Sequence, residues 1–234
     1  MMKDLKQYIR EKLVIFHPQV DEKLIVNKNY KNTYTPNTWD ELRQIIEQRY
    51  KEEGVGLKGY PINFNDIDVS EIDTFYDEST KQGIFEGTDF EYIDVSEWNV
   101  SNITDMTNLF SECNYLRSPG NLSKWDVSNV TNFTNMFNEC HELRSVGNLS
   151  KWKISNAEHI EGMFMGCMSL RSVGDLSKWD VSNVENMEDM FFGCEKLKSV
   201  GDLSNWNVSN VKDMSQMFLD SAIKKSDKPG WYKR

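Results

Sequence analysis

The chain has 234 residues, with 27 Lys and Arg against 37 Asp and Glu, for a formal net charge of −10. That balance speaks against a nucleic-acid binder, which needs a basic face, and no apolar run approaches the ~20 residues of a membrane-spanning helix. The four Cys and three His include no Cys-x-x-Cys pair and no ligand spacing, so neither zinc nor any other cofactor is expected.

Residues 1–16 place Leu5, Tyr8, Ile9 and Leu13 on one side of a short amphipathic helix, bounded by Pro18. The start lacks the apolar core of a secretory signal peptide, and it has no Cys that could carry a lipid. Residues 17–37 are polar and irregular. Thr38-Trp39-Asp40-Glu41 opens a second helix as a capping box. Trp39, Leu42, Ile45 and Ile46 follow at helical spacing, with Arg49 or Tyr50 next and Gly54 as the stop. This helix is expected to cover the open end of a repeat array. Ile67-Asp68-Val69-Ser70-Glu71-Ile72 is a worn copy of the repeat that follows, and residues 79–89 are expected to form an exposed loop.

From Trp98 onward the chain is periodic. Trp98, Trp125, Trp152, Trp179 and Trp206 stand 27 residues apart, as do Phe110, Phe137, Phe164, Phe191 and Phe218, and Cys113, Cys140, Cys167 and Cys194. A fixed period of this size marks a solenoid, in which each unit covers the apolar face of the next. Within one unit Met187, Met190, Phe191 and Cys194 lie at i, i+3, i+4 and i+7, the spacing of a short helix, with Glu188, Asp189 and Gly193 outward. Trp179 and Val181 alternate with Asp180 and Ser182, which predicts a short strand. Leu170 to Leu176, with Gly174 inside it, predicts another that turns or bulges. The fold class is therefore an α/β repeat solenoid with short strands and one short helix per 27-residue coil, and a small helical N-terminal cap. Its segments are 1–60 (helical region and cap), 61–97 (degenerate acidic capping repeat), 98–222 (five units) and 223–234 (basic tail). The Trp column reads as core and the Cys column as buried free thiols. The Ser-Asn columns, such as Ser182-Asn183, read as side chains satisfying backbone groups at a corner, with a polar ligand groove as the alternative.

The run W-x-V-S-N-V-x-x-M-x-x-M-F-x-x-C-x-x-L resembles the BspA-type leucine-rich repeats, also called the mycoplasma-lipoprotein repeat, over about Ile67 to Phe218. Similar arrays occur in bacterial surface proteins and gut bacteriophages. The resemblance implies a right-handed leucine-rich-repeat-like solenoid used for binding, with no catalytic residues. Phe133 and Ile160 in place of Met, Ala157 in place of Val, and Lys153 in place of Asp depart from the pattern at tolerant positions. The N-terminal run Met2 to Glu11 is similar to the capsid-targeting leaders of tailed bacteriophages, which implies cleavage after Glu11 in Ile9-Arg10-Glu11; a docking helix is the other reading.

Charge is unevenly placed. Residues 66–97 hold eleven acids against Lys81, whereas residues 223–234 hold Lys224, Lys225, Lys228, Lys233 and Arg234 against Asp227. Along the array run two basic columns, Arg117-Arg144-Arg171-Lys198 and Lys124-Lys151-Lys178. Either these grip an acidic ligand, or they are solvated partners for Glu142, Glu195, Asp126 and Asp180.

An enzyme needs a singular nucleophile, acid or base. Here each Cys, Ser and Asp that stands out sits in a repeated slot. The expected function is a non-catalytic module binding another protein, a phage capsid or host protein, by its lateral face or capped end. A monomer is expected, with weak end-to-end self-association as a variant. Without an export signal the expected location is the cytoplasm or a virion. The alternative is a bacterial surface adhesin that binds host protein or glycan.

Overall fold

The computed structural model describes residues 34–53 and 61–232. Its centre is a stack of five coils, each 27 residues long, with like residues over like. The inward residues of one coil, Leu170, Val173, Leu176, Trp179, Val181, Val184, Met187, Met190, Phe191 and Cys194, are none of them more than 3% exposed. Phe110, Phe137, Phe164, Phe191 and Phe218 stack with ring centroids 5.1, 5.5, 5.8 and 5.8 Å apart. Trp125, Trp152, Trp179 and Trp206 lie within 3° of parallel at 6.5, 6.4 and 6.5 Å. Each indole Nε1 donates to a main-chain carbonyl of the coil before it, for example Trp152 to Leu122 O at 2.9 Å and Trp179 to Leu149 O at 3.0 Å. The column is core, and its polar atoms are satisfied inside it.

The conformation between those residues differs from the expectation. No helix forms over Met187–Cys194 or its equivalents; the segment is a run of tight turns. Asp189 and Gly193 have φ of 56° and 68°, and the same two positions are left-handed in the other coils, as at Asn135 (55°) and Glu139 (58°). A helix would spend its N–H groups on carbonyls four residues back along its own axis. Here the N–H groups leave the coil. Met187, Asp189, Phe191 and Gly193 donate to the carbonyls of Asp213, Ser215, Met217 and Leu219 in the next coil, at 2.9–3.0 Å. Four such columns run through the stack. The one through the Phe residues starts at Phe85 N to Leu109 O and continues through Phe110, Phe137, Phe164 and Phe191.

The strands predicted at 179–181 and 170–176 are also absent. Single parallel bridges join Asp105, Asn132, His159, Asn186 and Asp213 instead. Around the predicted strands the chain turns: Leu122–Lys124 and Leu149–Lys151 are 3-10 turns capped by Asn121 and Asn148. Gly174, at φ 91°, belongs to such a corner, and a Cβ there would lie 2.1 Å from Asn148 Oδ1. The backbone cannot extend where it must bend this often, so the α/β description holds only for the cap.

That cap is α1 (Trp39–Glu53), whose Leu42 and Ile46 are buried. Thr38 Oγ1 accepts from Glu41 N at 3.2 Å, and Glu41 reaches back to Asn37 N rather than to Thr38 N, at 2.7 Å. Arg49, 6% exposed, pairs with Asp66 through two bonds of 2.7 and 2.6 Å and lies over the Phe64 ring. Arg43 donates to Ile84 O at 2.7 Å. Beneath α1, β1 (Ile62–Asn63) pairs parallel with β4 (Ile93–Asp94), and β2 (Tyr76–Asp77) pairs antiparallel with β3 (Gln82–Gly83). In the worn repeat Ile67, Val69 and Ile72 are buried, and Ser70 O accepts from Asn102 as its counterparts do in later coils.

Residues 79–89 are not simply an exposed loop. Ile84 and Phe85 are fully buried, and Phe85 starts the Phe stack, 5.3 Å from Phe110. Nor is the C-terminal segment a free tail. Trp231 stacks on Trp206 at 6.1 Å and donates to Leu203 O at 2.9 Å, while Tyr232 meets Phe218 edge-on. The step from Trp206 to Trp231 is not 27 residues, which hid it from the periodicity.

Candidate functional site

The two predicted basic columns do not behave as uniform stripes. Arg117 is a half-buried joint between coils: its guanidinium lies 3.7 Å from Glu91, 3.9 Å from Glu142 and 5.9 Å from the Tyr92 ring centre. Arg144 is more exposed, 55% at its side chain, and meets Glu142 at 3.6 Å. Arg171 and Lys198 are exposed and form no ion pair among the described residues. In the second column Lys124 lies 3.4 Å from Glu97, both largely in solvent, whereas Lys151 and Lys178 are exposed without an ion pair. The expected pairing of lysines with Asp126 and Asp180 does not occur. Those carboxylates accept from Ser128 N and Ser182 N, and the serine bonds hold both below the usual carboxylate range. Cationic side chains thus lie open from Arg144 to Lys198, while the start of both columns is tied to acids. Glu11 falls outside the described residues.

A second surface lies at the Ser-Asn columns, where a polar groove was the alternative reading. Asn129, Asn156, Asn183 and Asn210 each donate Nδ2 to the Ser carbonyl of the preceding coil, at 2.8, 2.7, 2.7 and 2.6 Å. This bears out the corner role for the amides, yet Asn156, Asn183 and Asn210 also line an open groove of about 520 Å³ with Thr131, Glu158, Glu185 and Lys212. Lys212 Nζ sits on Glu185, and that bond holds the Glu185 carboxyl below its ordinary range. Beside the groove Asp189 is pushed the other way, by burial and then by Glu188 and Asp213.

The four thiols are interior. Each donates to a carbonyl of the coil before it: Cys113 to Phe85 O, Cys140 to Phe110 O, Cys167 to Phe137 O and Cys194 to Phe164 O, at 2.9–3.1 Å. Burial pushes Cys113 up to about 11 and Cys194 up to about 12. Such thiols are poor nucleophiles and poor ligands. Among the described residues no three His, Cys, Asp or Glu side chains converge to hold a metal ion, and no helix is long and apolar enough to cross a membrane.

A stack of equal coils with polar and charged columns outside defines a repeat protein. The family described as "Mycoplasma protein of unknown function, DUF285" matches residues 78–175 and 150–232, and the chain belongs to it. No similar curated protein was found. Among solved structures, the chain is similar to a leucine-rich repeat protein from Eubacterium ventriosum, with 16% identity, 76% of this chain covered and a TM-score of 0.42. The match covers 47% of that protein, so the chain spans about half its length.

Proposed function

We propose that this chain is a leucine-rich-repeat-like solenoid acting as a non-catalytic protein-interaction module, and that it takes an acidic protein surface along Arg144, Arg171 and Lys198, with Lys151 and Lys178 beside them. The observation that carries this reading is the row of exposed cations on coils held in register by a rigid interior. Four of them, Arg171, Lys198, Lys151 and Lys178, form no ion pair among the described residues. Partner-free cations keep their full charge for a ligand, and a fixed scaffold lowers the ordering cost of binding. Membership in a repeat family agrees with an interaction or surface role.

The finer setting is a phage-encoded protein, carried in the virion or directed at the host. It rests on the sequence likeness of Met2 to Glu11 to capsid-targeting leaders. Capture from a native lysate tests both levels, with wild type compared against Arg144→Glu/Arg171→Glu/Lys198→Glu. The triple variant should keep its thermal midpoint and lose the captured partner. Equal capture by both proteins would remove the basic row as the site. Mass spectrometry of the bait should find it starting at Lys12 in the company of capsid proteins. An intact N-terminus with host surface proteins or glycans would support the adhesin reading.

A further inference from the structure

The groove on the Asn face has no assigned role, and its chemistry is opposite to that of the basic row. Each of Asn156, Asn183 and Asn210 is held by an Nδ2 bond to the preceding coil, while its Oδ1 has no protein partner. Glu158 stands among them, exposed and unpaired, and Thr131 adds a hydroxyl. The groove therefore presents the carboxylate of Glu158 and the three amide oxygens as acceptors, beside the second Nδ2 hydrogen of each amide. Its single cation, Lys212, is already seated on Glu185. That contact is an internal example of what the groove accepts: an ammonium on a flexible stem, arriving from a neighbouring coil.

We infer that this groove binds an extended basic segment of a partner protein, with Arg or Lys side chains donating to Glu158 and Glu185 and with the fixed amides accepting from its backbone or guanidinium N–H groups. The order of residues along the face supports a defined site. The position that carries Glu158 and Glu185 is Thr104 and Thr131 in the two preceding coils and Lys212 in the last. The acidic part is thus confined to two coils, with hydroxyls on one side and an ammonium on the other. The site lies apart from the basic row and does not rest on it, since a cationic probe cannot bind a cationic row.

Fluorescence anisotropy with labelled hexa-arginine tests the inference, using the full chain at low and physiological salt. Glu158→Gln/Glu185→Gln should weaken binding about fivefold, the loss expected for two exposed ion pairs. Glu71→Gln/Asp73→Asn, at the acidic end of the chain, should leave it unchanged. The side-chain amide NMR signals of Asn156, Asn183 and Asn210 should move on titration. Equal weakening by both double variants, or amide signals that stay in place, would overturn the proposal and leave a nonspecific polycation contact. Movement of the same amides by a neutral hexasaccharide but not by hexa-arginine would also overturn it and assign the groove to a glycan.

Discussion

At the scale of single residues, the interior works by giving its buried thiol and indole donors a carbonyl to bond. A thiol and an indole do this in each of the first four coils, so the Cys and Trp columns are both apolar filler and hydrogen-bond donors. The thiols carry a consequence for pH. An unfolded cysteine ionises near ~8.5, whereas burial raises Cys113 to about 11 and lifts Cys140 and Cys167 well above the free value. An acid raised in this way contributes its full stability below the unfolded pKa and loses it as pH climbs toward the folded one. Unfolding free energy should therefore fall from about pH 9 upward, more steeply in wild type than in Cys140→Ala. Denaturant curves at several pH values would show this. Parallel slopes would mean that the native thiols ionise as freely as the unfolded ones.

At the scale of the element, the unit is a chain of turns, and its left-handed residues set its shape. Gln216 occupies this conformation at φ 55° without a side-chain hydrogen bond of its own. A non-glycine residue there costs ~1–2 kcal/mol, part of which glycine recovers against its greater freedom when unfolded. Gln216→Gly should raise stability by about 1 kcal/mol, read as a shift in denaturant midpoint. An unchanged or lower midpoint would show that the turn is held by something other than backbone preference. The inward set Met187, Met190, Phe191 and Cys194 was legible in the sequence because it follows from periodicity alone. The helix was a misreading because i, i+3, i+4, i+7 spacing also suits successive turns. The discriminating signal lay in the residues between. Asn108, Asn135, Gly162, Asp189 and Gln216 fill one slot and Glu112, Glu139, Gly166, Gly193 and Asp220 another, and seven of the ten are Asn, Asp or Gly, types that tolerate positive φ. The basic columns were legible as columns with Glu142 as a partner, but the pairing with Glu91 and Glu97 was not. The acids that hold Arg117 come from the coils before and after it, at spacings that no repeat pattern marks. The groove was legible only as an alternative at the Ser-Asn columns, and its charged residues were not, because Glu158, Glu185 and Lys212 occupy a variable position while attention to a repeat follows the constant ones.

At the scale of the molecule, each coil is stabilised by its neighbours, so the cost of a defect depends on its place in the stack. Trp152 is sandwiched between Trp125 and Trp179, and Phe133 also stacks on it. Trp152→Ala should cost ~3–5 kcal/mol, as for other large core aromatics. The same change at Trp231, half-buried and with one Trp neighbour, should cost roughly half as much. Equal losses at the two sites would mean that the stack melts as one unit regardless of position.

The four columns of backbone hydrogen bonds have an electrical consequence. In an ordinary sheet, peptide moments alternate and nearly cancel. In these columns every participating peptide points its carbonyl toward α1 and its N–H toward the last coil, so moments of ~3.5 D each add along the stack. At the negative end of the Phe column the exposed carbonyl is Ile84 O, and the group seated on it is the guanidinium of Arg43. Bonds such as Thr131 N to Thr104 O and Glu158 N to Thr131 O run the other way, so these four columns form a dipole laid across the coils that the opposing bonds offset in part. Its two ends are chemically unlike, and a cap that carries cations suits only the end where α1 stands.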